Sequence, residues 1–208
     1  MSFQQKEREQ LAQLLLDRGP DATTLCEGWT TADLAAHLYL RERKPYLAGG
    51  YFISALSELT QNAQSAVKQR PYTEVVGAWA AGPPLFIKPC DKAMNTSEHF
   101  IHHEDVRRGR GEVAPREFSR AVEADLMKAA RMMGQMALSS SEVPVVLTPQ
   151  NHPPVTLGGK RGVVAKGDRV VRVSGDPGEL LLWVTGRDAV QVDIDGAQAD
   201  IAKVKRRI

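Results

Sequence analysis

Glu98 and His102 stand four residues apart in Thr96-Ser97-Glu98-His99-Phe100-Ile101-His102-His103-Glu104-Asp105-Val106-Arg107-Arg108, a segment that holds three of the chain's five histidines. A carboxylate and an imidazole at i and i+4 leave a helix in the same direction, so together they can grip a cation. A third donor, His37 from a neighbouring helix, would complete a set of two histidines and one carboxylate. Such a set keeps a coordination position open for water or substrate.

The same segment offers a rival pair, because His99 and His103 are also four apart. Helical phase separates the two. At about 100° per residue, Met94, Glu98, Ile101, His102, Asp105 and Val106 fall within one arc. The apolar members mark that arc as the buried face. Glu98, His102 and Asp105 are therefore carried inward, while His99 and His103 lie toward its edge beside Glu104 and Arg107. A buried carboxylate and imidazole are costly unless paired or bound to a metal. His37 sits centrally between Leu34 and Leu40 in Thr30-Thr31-Ala32-Asp33-Leu34-Ala35-Ala36-His37-Leu38-Tyr39-Leu40-Arg41, with Asp33 and Arg41 on its face. Each feature also has a plainer reading. His37 can be a hydrogen-bonded core histidine, Glu98 with His102 a buried pair, and His99 with His103 an exposed polar face. Spacing alone leaves these open.

Phe3, Leu11, Leu14 and Leu15 recur at helical spacing and end at Gly19-Pro20. Thr30 reads as an N-cap with Asp33 in the first turn, opening the helix that carries His37. A polar helix is expected over 51–69, stopped by Pro71, and the stretch 82–89 breaks helix again. The helix bearing Glu98 and His102 is expected over 91–108, ended by Gly109-Arg110-Gly111. Residues 116–138 read as the last bundle helix, with its four methionines as core packing. Ser139-Ser140-Ser141 marks a linker, giving a helical metal-binding domain over 1–139 and a small α+β domain over 142–208. That domain is expected to hold strands over 143–148, 170–174 and 190–193, with a turn at Gly158-Gly159-Lys160. Asp176-Pro177 opens a helix that Gly186 closes, and a final helix runs over 197–206. No phosphate-cradling glycine loop is present.

Cys26-Glu27-Gly28-Trp29-Thr30-Thr31-Ala32-Asp33-Leu34-Ala35-Ala36-His37-Leu38 resembles the Gly-Trp-Thr-x-x-Asp-Leu-x-x-His signature of the DinB-like, mycothiol-dependent maleylpyruvate isomerase family. Glu98-x-x-x-His102-x-x-Asp105 resembles that family's second metal motif. Ser174-Gly175-Asp176-Pro177-Gly178-Glu179-Leu180-Leu181-Leu182-Trp183-Val184-Thr185-Gly186-Arg187 resembles the Gly-Asp-x-x-Glu-Leu…Gly-Arg run of its C-terminal domain. The three motifs keep the family's order across most of the chain. The resemblance implies an α+β protein, a DinB-like four-helix bundle followed by a small α+β domain, with a divalent metal, usually zinc, on His37, Glu98 and His102. In the isomerase, the metal activates the thiol of mycothiol, which adds to a cis double bond and permits rotation. Relatives use the same site for thiol transfer or for no established reaction. The doubled His102-His103 and the run 104–108 are more charged than the family's usual continuation.

The expected protein is therefore a metal- and thiol-dependent isomerase or transferase acting on a small molecule. Asp105 is placed as an outer partner, accepting the free N–H of His102 and orienting its ring. Arg41, and more weakly Arg107, Arg108 or Arg187, is placed to anchor carboxylates of substrate or cosubstrate by forked hydrogen bonds. Two other classes fit the same three ligands: a non-catalytic metal sensor or interaction module, and a hydrolase using metal-bound water. No residue near the motifs is an unambiguous general base. The net charge of +2 leaves no nucleic-acid footprint, and Lys203-Val204-Lys205-Arg206-Arg207 reads as a solvated helix end. Cys26 and Cys90 give no disulfide framework, read as small buried residues, and suit a reducing compartment. Residues 1–6 lack an apolar run and no stretch reaches membrane-spanning length, so a cytoplasmic protein without a membrane partner is expected.

Overall fold

A computed structural model describes residues 1–47, 57–83, 91–159 and 169–206. Cys90, the segments 51–56 and 84–89, Lys160 and Arg207 lie outside the described residues, as does the side chain of Met94. The chain divides into two compact units, Met1–Glu112 and Val113–Ile208.

The first unit is helical: α1 (Phe3–Arg18), α2 (Thr31–Arg43), α3 (Ser57–Lys68), α4 (Tyr72–Ala80) and α5 (Asp91–Arg107), with a short 3-10 turn at Pro45–Leu47. Its core is built on Leu11, Leu15, Leu34, Leu38, Leu40, Val75, Val76, Trp79 and Val106. α1 lies against α4 and α5, and α2 against α3 and α4. Gly19, at φ 74, ends α1 by donating to the Leu15 carbonyl at 3.1 Å, a conformation that costs glycine little. α2 begins as expected. Asp33 Oδ2 accepts from the Thr30 N–H at 3.0 Å and from Thr30 Oγ1 at 2.9 Å, so an otherwise orphaned donor at the helix start is satisfied. α4 escaped the sequence reading. It is short, carries the weak helix former Gly77 in its interior, and is fixed from outside, for Tyr72 donates its hydroxyl to the Leu15 carbonyl at 2.8 Å.

The loop between α1 and α2 is tied to the end of α5. Leu25 donates its N–H to the Asp105 carbonyl at 3.0 Å. A Cβ on Gly109 would stand 2.0 Å from the Thr23 carbonyl oxygen. Glycine there is what allows the loop to close on the helix end.

The second unit holds α6 (Arg120–Ala137), β1 (Val145–Pro149), β2 (Val155–Leu157), β3 (Val171–Gly175), α7 (Pro177–Val184), β4 (Val192–Asp195) and α8 (Gln198–Ile201). The sheet order is β2-β1-β3-β4, with β1 and β3 parallel and both outer pairs antiparallel. The α+β class is thus as the sequence implied, with differences in detail. The boundary falls ahead of α6, not at the serine run. α6 packs on α7 and β2 because Ala130, Gly134 and Ala137 form a buried strip of small residues. A Cβ on Gly134 would meet Leu157 Cδ1 at 2.5 Å. The expected methionine core is not there: Met127 is buried, but Met132 and Met136 are exposed. The final helix is one turn, not ten residues. Arg206, expected on a solvated end, donates to the carbonyls of Trp183 and Arg187 at 2.9 and 3.2 Å and lies over the Trp183 ring. No described helix is long and apolar enough to cross a membrane.

Candidate metal centre

α2 and α5 bring His37, Glu98 and His102 together, with a donor atom from each lying within 4.8 Å of the others. His102 Nε2 is 3.3 Å and His37 Nε2 3.9 Å from the same Glu98 oxygen, Oε2. The two imidazole centroids are 5.0 Å apart, and the Trp29 ring lies 5.3 Å from that of His37. The histidine side chains keep 11% of their surface exposed and that of Glu98 keeps 18%, so the cluster opens to solvent through a small aperture.

Charge is unevenly spread over the three. Burial, opposed in part by Glu98, drives His37 down to about 4, which keeps its ring neutral and a lone pair available. Burial also works against the Glu98 carboxylate, but hydrogen bonds from His102 and His37 outweigh it and hold the group well below its ordinary range. For His102 burial is likewise overcome. Asp105, then Cys26 and Glu98, hold the ring well above the usual histidine value.

Asp105, fully buried, is where the sequence placed it. Its Oδ2 lies 2.9 Å from His102 Nδ1. With Nδ1 engaged by Asp105, Nε2 is the nitrogen aimed at Glu98, the orientation a ligating histidine requires. Two imidazole nitrogens and a carboxylate oxygen converging on one point, with one ring anchored from behind, form a donor set that could hold a divalent cation. Asp105→Asn should therefore weaken metal retention by about 10–100-fold. Competition against a chelator measures it, and equal retention would reduce Asp105 to a structural acid.

The other charged candidates fall elsewhere. Arg41 Nε is 3.4 Å from Glu98 Oε2, and its guanidinium also donates to Asn95 Oδ1, so it borders the site on the Glu98 side. Arg107 donates to both oxygens of Glu104 at 2.7 Å. Arg108 is buried, with Nε 2.6 Å from Glu104 Oε2, which removes it as a substrate anchor. Arg187 bonds the Thr185 carbonyl in the second unit.

His99 and His103 overturn the expectation of an edge or an exposed polar face. Both are buried against α1. His99 Nδ1 lies 2.9 Å from the Gln4 carbonyl and Nε2 3.0 Å from Glu42 Oε1, while His103 Nδ1 is 2.9 Å from Glu7 Oε2. Glu42 also receives Arg8 at 2.7 Å and Trp79 Nε1 at 3.1 Å. Sequence reasoning missed this network. Its signal was on α1, where Gln4, Glu7 and Arg8 continue the stripe of Leu11 and Leu15 with polar side chains. Cys26 was also misjudged: it is half-buried, and its Sγ lies 3.2 Å from Asp105 Oδ2.

A scan of protein-family models finds none that matches the chain, and a search of curated proteins finds no relative in sequence. Among solved structures the chain is similar to the crystal structure of the mycothiol-dependent maleylpyruvate isomerase, with a TM-score of 0.56 over 93% of this chain and 90% of that one, at 19% identity. At that identity the likeness is one of fold, and it is the fold that the three sequence motifs implied.

Proposed function

We propose that His37, Glu98 and His102 hold a divalent cation, zinc by the chemistry of its donors, and that the protein is an isomerase or transferase using a low-molecular-weight thiol such as mycothiol on a small molecule. The observation that carries this reading is the convergence of the three donors with Asp105 orienting His102 from behind. The likeness in fold to a mycothiol-dependent enzyme supports the choice of thiol chemistry. A bound cation would supply a Lewis acid that lowers the pKa of a coordinated thiol, giving thiolate near neutral pH.

The chain's own groups do the rest. The neutral ring of His37 presents a lone pair, and Glu98 brings the negative charge that offsets the cation. Asp105 holds the His102 ring in register. Arg41 steadies Glu98 through its Nε contact and, with 20% of its side chain exposed, stands at the aperture to receive a carboxylate of substrate or cosubstrate. Trp29 closes one side of His37 and limits water there.

The test uses cobalt-loaded protein in a Cys26→Ser, Cys90→Ser background, so that the only thiol present is the one added. Saturating mycothiol should introduce a thiolate charge-transfer band that the apo-protein cannot give. A spectrum unchanged by the thiol would overturn this reading in favour of a metal-binding module without thiol chemistry.

A further inference from the structure

Behind the three-donor centre lies a second group of ligating atoms. Asp105 Oδ2 is 3.2 Å from Cys26 Sγ and 2.9 Å from His102 Nδ1. A donor atom from each of the three residues lies within 4.8 Å of the others. One carboxylate oxygen thus serves two donors, a thiol S–H and a ring N–H, and their two hydrogens occupy the space between the three heavy atoms.

The thiol is held there by backbone. Cys26 donates its N–H to Thr24 Oγ1 at 3.2 Å, Thr24 Oγ1 bonds the Trp29 carbonyl at 2.9 Å, and the neighbouring Leu25 N–H is fixed on the Asp105 carbonyl. Metal–sulfur and metal–nitrogen or –oxygen bonds of about 2.3 and 2.0–2.1 Å place tetrahedral ligand atoms roughly 3.3–3.6 Å apart. The observed 2.9 and 3.2 Å separations need to open by only a few tenths of an ångström to meet that spacing.

We propose that Cys26, Asp105 and His102 form a second cation site for a thiophilic divalent ion, and that its occupancy excludes occupancy of the His37–Glu98–His102 site. A neutral imidazole has one lone-pair nitrogen and one N–H. When His102 ligates through Nε2, Nδ1 keeps its hydrogen for Asp105. When it ligates through Nδ1, the hydrogen sits on Nε2, where Glu98 Oε2 at 3.3 Å accepts it. Entry at the second site replaces the Cys26 thiol proton, which passes to solvent, and exchanges the His102 tautomer. Nothing is oxidised or reduced. The thiolate gives this site its preference for softer ions, whereas the first site offers only nitrogen and oxygen. The inference rests on the geometry around His102 and not on thiol-dependent catalysis.

Cadmium titration of the metal-free full chain, with Cys90→Ser carried in every protein titrated, tests it, read as the ultraviolet thiolate-to-metal band together with bound cadmium. The wild type and His37→Ala should both show the band, Cys26→Ser should lose it, and Asp105→Asn should need more cadmium to reach it. In zinc-loaded wild type, the band should grow only as zinc is released. The proposal fails if the wild type gives no band, if Cys26→Ser keeps it, if His37→Ala loses it, or if it forms with zinc still bound. Retention in His37→Ala separates this site from the first, since that variant keeps Cys26, Asp105 and His102 while losing a first-site ligand.

Discussion

In a Cys26→Ser background, His102→Ala and His37→Ala are each expected to abolish stoichiometric zinc binding, while His99→Gln and His103→Gln keep it and lower the melting temperature instead. The reason is a division of labour across α5. His102 faces Glu98 and Asp105 on the side of α2 and the Cys26 loop, whereas His99 and His103 face the Gln4 carbonyl, Glu7 and Glu42. Replacing either of the latter disturbs buried hydrogen bonds, a loss of about 1–3 kcal/mol each, without touching a metal donor. Metal analysis of purified variants beside thermal melts separates the two classes. Metal lost in His103→Gln but retained in His102→Ala would reverse the assignment.

Glu42→Ala should be the most damaging single change in the helical unit, costing about 3–5 kcal/mol in denaturant unfolding. It would leave the buried Arg8 guanidinium without its carboxylate partner, with the Trp79 carbonyl still accepting from it, and would remove the acceptor for Trp79 Nε1 and the partner of His99 Nε2. A loss under about 1 kcal/mol, the range of a solvated pair, would show that the network contributes no more than surface charge. The pH dependence has a definite sign. Burial alone would raise the Glu42 carboxyl, but the hydrogen bonds from His99 and Arg8 outweigh it and hold the group below its ordinary value. A folded-state pKa below the unfolded one gives stability that is fully present above the unfolded value, about 4.3, and is lost as pH falls through the folded one. Wild type should therefore lose stability below about pH 4 more steeply than Glu42→Gln does.

What could be read beforehand followed from how each feature is written in the chain. The Thr30–Asp33 helix start, the inward phase of Glu98, His102 and Asp105, and the α+β texture after the serine run are all local signals, and the structure has them. The second face of α5 was not local. His99 and His103 are buried because a different helix presents Gln4 and Glu7 to them, and a count of apolar residues on α5 alone marks that face as edge. α6 misled for a similar reason. Its length and periodicity fit a bundle helix, but Ala130, Gly134 and Ala137 shape it for close approach to α7. Phase says which residues point together and not what they will meet.

The pairs 98/102 and 99/103 are offset by one residue, so a roll of α5 by about 100° would trade one clamp for the other. The helix is latched against that roll from both sides. Glu7, Glu42 and the Gln4 carbonyl grip one pair, and the Leu25 N–H and the Cys26 thiol, both donating to Asp105, hold the other face. The buried charges around His99 and His103 thereby act as a rotational stop, and the aim of Glu98 and His102 at His37 on α2 is inherited from contacts on the far side of the helix.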